Sequence, residues 1–201
     1  MAKLLKSISY IFHPIVMPLA GVIFYFSKSP RYIAPEVIKA KLISVLILTV
    51  LLPIVLYFLL KILGKVNSIY LKSTKERIIP LVLNCLVLFV VIRKILTPTQ
   101  AIELYFFFLG ILFSALSCLI LVLLKVKASM HMIGVSGLFM FFIALSIHFS
   151  ININKTLALT SIILGAVATS RLHMKAHSFA ELILGLVLGA LPQLILTPYW
   201  I

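Results

Sequence analysis

Long unbroken apolar runs constrain this chain more than any other feature of its sequence. Several reach about 18 residues or more, the length an α-helix needs to cross the hydrocarbon core of a bilayer. None shows the alternation of a barrel strand. With 63% of its 201 residues hydrophobic and a mean hydropathy of +1.26, the chain has too little polar surface to cover a water-soluble globule. The sequence therefore predicts an all-α integral membrane protein, a helical bundle of six to seven transmembrane helices.

The apolar segments fall at about 8–27, 42–63, 78–97, 102–124, 131–149, 156–170 and 178–197. They predict a single transmembrane domain over 1–201, with no soluble domain left over. Lys3 and Lys6 ahead of the first run look like the start of a signal peptide, but Pro14 and Pro18 interrupt that run and no small-residue cleavage site follows cleanly. It is read as a retained first span. The sixth segment is short and rich in small or hydroxylated residues (Ser161, Gly165, Ala168, Thr169), which predicts a helix packed among neighbours in the bundle interior. Cys85 and Cys118 lie inside apolar runs as small hydrophobes without metal-like spacing. Tyr199 and Trp200 predict an interfacial aromatic anchor.

Eighteen Lys and Arg against four Asp and Glu give a net charge of +14, which favours anionic partners, and lipid headgroups are the nearest anions. The basic residues sit in short loops between spans, where they offer no soluble face to nucleic acid. If all seven segments cross, the loops at 64–77, 125–130 and 171–177 share one side with the N-terminus. That side, with its adjoining helix ends, collects Lys72, Lys75, Arg77, Ser129, His131, Arg171, Lys175 and His177. Nearly all polar residues are thereby expected at one membrane face. Once the candidate anion-binding residues are set aside, the positive-inside rule does not say which face this is.

The densest polar stretch runs from Ser170 to Glu181, followed by Gly185 and Gly189. If a helix starts near His177, Glu181 lies one turn further along the same face, where its carboxylate can bind the imidazole and fix its tautomer. A histidine held that way is a candidate nucleophile or base. Glu181 is one of only four acids and falls in an apolar helix, so a partner such as His177 or Arg171 is expected. The GxxxG spacing of Gly185 and Gly189 continues the same face and predicts close helix packing.

Ser170-Arg171, five residues, His177, three residues and Glu181 resembles the third signature of the type 2 phosphatidic acid phosphatase family, usually written S-R-x5-H-x3-D; Gly185 and Gly189 match its usual continuation. Upstream, Ala128-Ser129-Met130-His131 stands where that family, which is related to the vanadium haloperoxidases, has P-S-G-H. The stretch Lys72 to Pro80 loosely resembles its first signature, K-x6-R-P. The three occur in the family's order over about residues 72–189, and the resemblance implies a phosphatase-like core over about 64–197 in a divergent bacterial-type member.

It further implies a membrane-embedded lipid phosphatase that hydrolyses a phosphomonoester or pyrophosphate of a lipid: an isoprenoid pyrophosphate, a phosphatidyl phosphate or a lipid A type phosphate. By that resemblance His177 attacks phosphorus and forms a phosphohistidine, Glu181 orients its ring in place of the family aspartate, and His131 supplies the proton to the leaving group. Arg77, Arg171 and a lysine from Lys72 or Lys75 would hold the phosphoryl oxygens, with Ser129 as a neutral donor. Neither a metal nor another cofactor is implied, in keeping with so few carboxylates. The partners expected are the anionic phospholipid or isoprenoid phosphate substrate and the bilayer, with no nucleic acid. The implied location is the bacterial inner membrane, the site facing the periplasm. The chain departs from the pattern at Glu181, which adds a methylene, at Met130, which replaces a glycine, and at Tyr70, where the first signature would have lysine. A catalytically weakened relative that binds or moves anionic lipid is the alternative.

Overall fold

A computed structural model describes residues 2–66 and 73–201, with side chains from Leu5 onward; Lys72 and Tyr70 lie outside the described residues. Among these there is no strand, and nine α-helices combine into seven spans long and apolar enough to cross a membrane. The chain is an all-α bundle, as its apolar runs predict.

The first span is broken where its prolines fall. Helix α1 (Ala2–Ile11) stops, a 3₁₀ turn follows at Pro14–Val16, and α2 (Met17–Lys28) resumes the crossing. Pro14 and Pro18 lack the N–H that a continuous helix requires. The His13 side chain caps the break, its Nδ1 accepting the Ile15 N–H at 3.3 Å. The second span stays continuous from α3 (Pro35–Leu46) to α4 (Leu52–Ile62) through a wider π-type turn at Ile47–Leu51. Pro53 cannot donate to the Thr49 carbonyl and its ring crowds it, a conflict that the wider turn absorbs.

Helix α5 (Thr74–Val90) begins four residues ahead of the apolar segment predicted to start at 78, because Ser73 accepts the Glu76 N–H at 3.2 Å as an N-cap. That extension carries Arg77 onto the helix. The remaining spans are α6 (Ile102–Leu123), α7 (Met130–His148), α8 (Asn154–His173) and α9 (Phe179–Leu196), and α5 runs on through a second π-type turn at Val91–Ile95.

Helix α7 is the interior helix. Half of its apolar window is buried, against 22% for α8. The expectation that the sixth segment lies inside is therefore overturned. The α8 hydroxyls of Thr160, Ser161 and Thr169 donate to carbonyls one turn back in their own helix, and Gly165 faces open space. Small polar residues that satisfy themselves in this way do not require a neighbour. Around α7 the core is built from Phe107, Phe108, Phe141, Tyr25, Leu104 and Leu145, all essentially inaccessible, with Phe107 and Phe141 stacked at 4.1 Å.

The glycines of α9 pack against α7, as their spacing suggests. A Cβ on Gly185 would lie 2.6 Å from the Ser129 carbonyl oxygen, one on Gly189 would collide with the Ile133 carbonyl, and Gly137 approaches the Gly189 carbonyl in return. No side chain fits between these backbones.

A second polar cluster occupies the opposite face, which corrects the expectation that nearly all polar residues gather on one side. Glu103 is fully buried and meets Arg31 at 2.8 Å, His148 at 3.0 Å and the Tyr25 hydroxyl at 3.0 Å. Trp200 packs its buried ring against His148 at 5.3 Å, so only the exposed Tyr199 is left to face an interface.

Candidate functional site

The site is assembled where the N-terminal ends of α5, α7 and α9 meet α1 and the C-terminal end of α8. Helix α9 is capped by Ser178, whose hydroxyl accepts the Glu181 N–H at 3.3 Å. This fixes Glu181 in the first turn, where a carboxylate is favoured by the positive end of the helix dipole. Its Oε2 accepts a hydrogen bond from His177 Nδ1 at 2.6 Å. Because the carboxylate can only accept while ionised, the proton sits on Nδ1 and the Nε2 lone pair is left for chemistry. The His177 side chain is 4% exposed and Glu181 27%, so the pair stands at the rim of the protein interior.

Burial lowers the His177 pKa from its ordinary value, and the positive charges of Arg171 and Arg77 lower it further, while the hydrogen bond to Glu181 acts in the opposite direction. Those influences also place both guanidinium groups within electrostatic reach of the imidazole. Arg77 is buried and donates through Nη1 to the Ala128 carbonyl at 3.2 Å. Arg171, also buried, reaches the Ser9 hydroxyl at 3.5 Å.

Comparison with protein-family models, characterised proteins and solved structures found no match.

Through Ser9, which also meets Arg171, His131 is drawn into the same neighbourhood. Its Nε2 lies 3.0 Å from the Ser9 carbonyl. A carbonyl only accepts, so Nε2 carries a proton and Nδ1 is the nitrogen available for proton transfer. His13, at the break in the first span, sets its ring edge-on to His131 at 5.2 Å.

Ser129 is completely buried. Its hydroxyl caps α7 by accepting from Met132 N at 3.5 Å, and its amide donates to the Glu181 carbonyl at 3.1 Å. Ser129 thus ties the start of α7 to the first turn of α9, and the amide that would otherwise serve an anion is engaged. Met130 turns into an apolar cluster with Leu81, Cys118 and Val122. Lys75 is exposed on the first turn of α5, whereas Lys72 falls outside the described residues.

Of the residues singled out in the sequence, Arg77, Ser129, His131, Arg171, His177 and Glu181 converge. Ser9 and His13 join them unannounced: Ser9 also shares a 2.6 Å hydroxyl contact with Ser170. A serine within an apolar run carries no sequence signal of its own, although the Pro14 and Pro18 break marks where the N-terminal segment could bend towards the site.

Beside this polar face lies a cavity of about 620 Å³ between the first-span break and α4, α5, α6 and α7. Its walls are mostly apolar, and Arg77, His13 and Met130 line it where it nears the site.

Proposed function

We propose that this protein is a membrane-embedded phosphatase acting on a lipid phosphomonoester or pyrophosphate, with the arrangement expected of the type 2 phosphatidic acid phosphatase family. The single observation that carries the reading is the 2.6 Å His177–Glu181 pair, with two buried guanidinium groups acting on the same imidazole. A histidine whose Nδ1 is held by a carboxylate presents Nε2 as a nucleophile, and buried arginines supply the paired donors that match phosphoryl oxygens.

In this scheme His177 Nε2 attacks phosphorus and the bond to the lipid oxygen breaks. His131, protonated at Nδ1 while Ser9 holds Nε2–H, gives its proton to the departing oxygen. A water deprotonated by the now neutral His131 then attacks the phosphohistidine, releasing phosphate and restoring His177. Arg77 and Arg171 balance the charge spread over the phosphoryl oxygens throughout. The apolar cavity under Arg77 supports a lipid over a soluble ester. We place the site on the periplasmic face of a bacterial inner membrane, the orientation that the motif resemblance favours.

The alternative, a relative that binds or moves anionic lipid without turnover, is favoured by one observation: Ser9 already engages both Arg171 and His131. Phosphate release from a panel of lipid phosphates, without added metal, separates the two. The wild type is expected to release phosphate and His177→Ala to be slower by about 10³-fold or more. Equal release by both sinks the nucleophile assignment, and no release from any lipid favours the binding reading.

A further inference from the structure

Of the polar side chains that line the cavity outside the phosphatase scheme, Thr49, Ser114 and Gln193 each donate to a backbone carbonyl, and Asn84 does not. Along α5, Arg77, Leu81, Asn84 and Leu88 all line it, a stripe at i, i+4, i+7 and i+11 that faces one way. At 1.5 Å per residue this stripe runs about 16 Å along the helix axis, more than half of a roughly 30 Å hydrocarbon core. Asn84 sits two turns, about 10 Å, beyond Arg77. Its amide also borders a smaller adjoining pocket of about 60 Å³ shared with Tyr57, Pro53 and Pro80. Among the described residues its side chain makes no hydrogen bond. An amide at that depth is costly unless something satisfies it, and apart from the Tyr57 hydroxyl the side chains around it in that pocket are apolar.

We propose that the cavity is a chain-binding site for one apolar chain of an anionic membrane amphiphile, and that Asn84 selects the chain by its linkage. The head of the amphiphile is drawn by charge to Arg77 at the polar end. Its chain descends between α4, α5 and α6, and the Asn84 amide bonds an ester, amide or hydroxyl near the top of that chain. The cavity volume of about 620 Å³ falls within the roughly 300–1,000 Å³ range of ligand pockets. Along its chain a prenyl or alkyl phosphate offers Asn84 neither donor nor acceptor, whereas an acyl lipid phosphate offers an ester carbonyl that accepts from the amide N–H. The substrate class is therefore acylated lipid phosphates. This rests on the reading of the polar face as a phosphate site, but chain selection is measurable without turnover.

The test is competition binding in maltoside micelles against a fluorescent lysophosphatidate, carried out in the His177→Ala protein so that nothing is consumed. The competitors are lysophosphatidate, octadecyl phosphate and geranylgeranyl phosphate. Asn84→Leu is expected to weaken lysophosphatidate by about tenfold, the loss of one buried hydrogen bond, and to leave the other two unchanged. In a second arm, Ala115→Phe fills the deeper cavity and is expected to shift preference from octadecyl to octyl phosphate. Equal weakening of all three ligands by Asn84→Leu, or no change in any, overturns the linkage role; an unchanged chain-length preference in Ala115→Phe overturns the chain site. If both variants behave as expected while no lipid phosphate is hydrolysed by the wild type, the chain site stands and the phosphatase reading falls. If hydrolysis depends on His177 but neither variant alters selection, the reverse holds.

Discussion

His177 is held between opposing influences, and they set the pH dependence of the site. Burial, followed by the charges of Arg171 and Arg77, disfavours its imidazolium form; the Glu181 hydrogen bond favours it. The nucleophile is the neutral ring, so the rate falls as pH drops through the His177 pKa, which lies below the ordinary 6.5. Glu181→Gln removes the influence that raises this pKa and is expected to move the acid limb of the pH–rate profile to lower pH. Arg171→Leu removes one that lowers it and moves the limb upward. Both variants also lose rate, about 10²-fold or more, through misplacement of the ring or of the phosphoryl group. Limbs that stay in place in both variants would show that another group titrates. The His177–Glu181 pairing was legible because the partners lie four residues apart, although His177 precedes the Ser178 cap and only Glu181 lies on α9. Ser9, which fixes His131, was not, because only tertiary folding brings a residue near the start of the chain to one more than a hundred positions away.

At the scale of elements, the geometry of the site depends on how α7 is set against α9. Gly185 and Gly189 let the backbones touch, and Ser129 locks the register through its amide and the Glu181 carbonyl. Gly189→Val therefore forces the helices apart, with an expected loss of about 1–3 kcal/mol in stability and a drop in activity as His131 moves away from His177. Gly165→Ala in α8 is the contrast: its added Cβ meets nothing, and helix propensity alone is expected to raise stability by about 0.5–1 kcal/mol. Thermal unfolding of both variants in one detergent checks the pair; equal destabilisation would deny the α7–α9 contact its special place. The GxxxG spacing could be read from the sequence, but its partner helix could not. The same kind of reading failed for α8, where small and hydroxylated residues turn out to bond their own backbone at the periphery.

For the molecule as a whole, hydropathy was enough to establish the bundle and its seven spans, since backbone groups in hydrocarbon must be satisfied within each segment. It did not reveal that the polar groups divide between two faces. The site gathers at one, while Glu103, Arg31, His148 and Tyr25 close the other; there a buried carboxylate with three partners joins α2, α6, α7 and the loop after α2. Glu103 carried the same signal as Glu181, an acid in an apolar helix, but its partners are remote in sequence and no local spacing announces them. The cavity was illegible for a related reason: residues that line a chain-binding space have the same apolar character as residues that pack. The proposed scheme requires that His177 take up the phosphoryl group. It is tested most directly by rapid acid-free quenching of the protein with a radiolabelled lipid phosphate, followed by peptide mapping. The expected result is an acid-labile, base-stable phosphoryl group on the peptide containing His177, absent from His177→Ala. Phosphate release by the wild type with no label on that peptide at any time would contradict it.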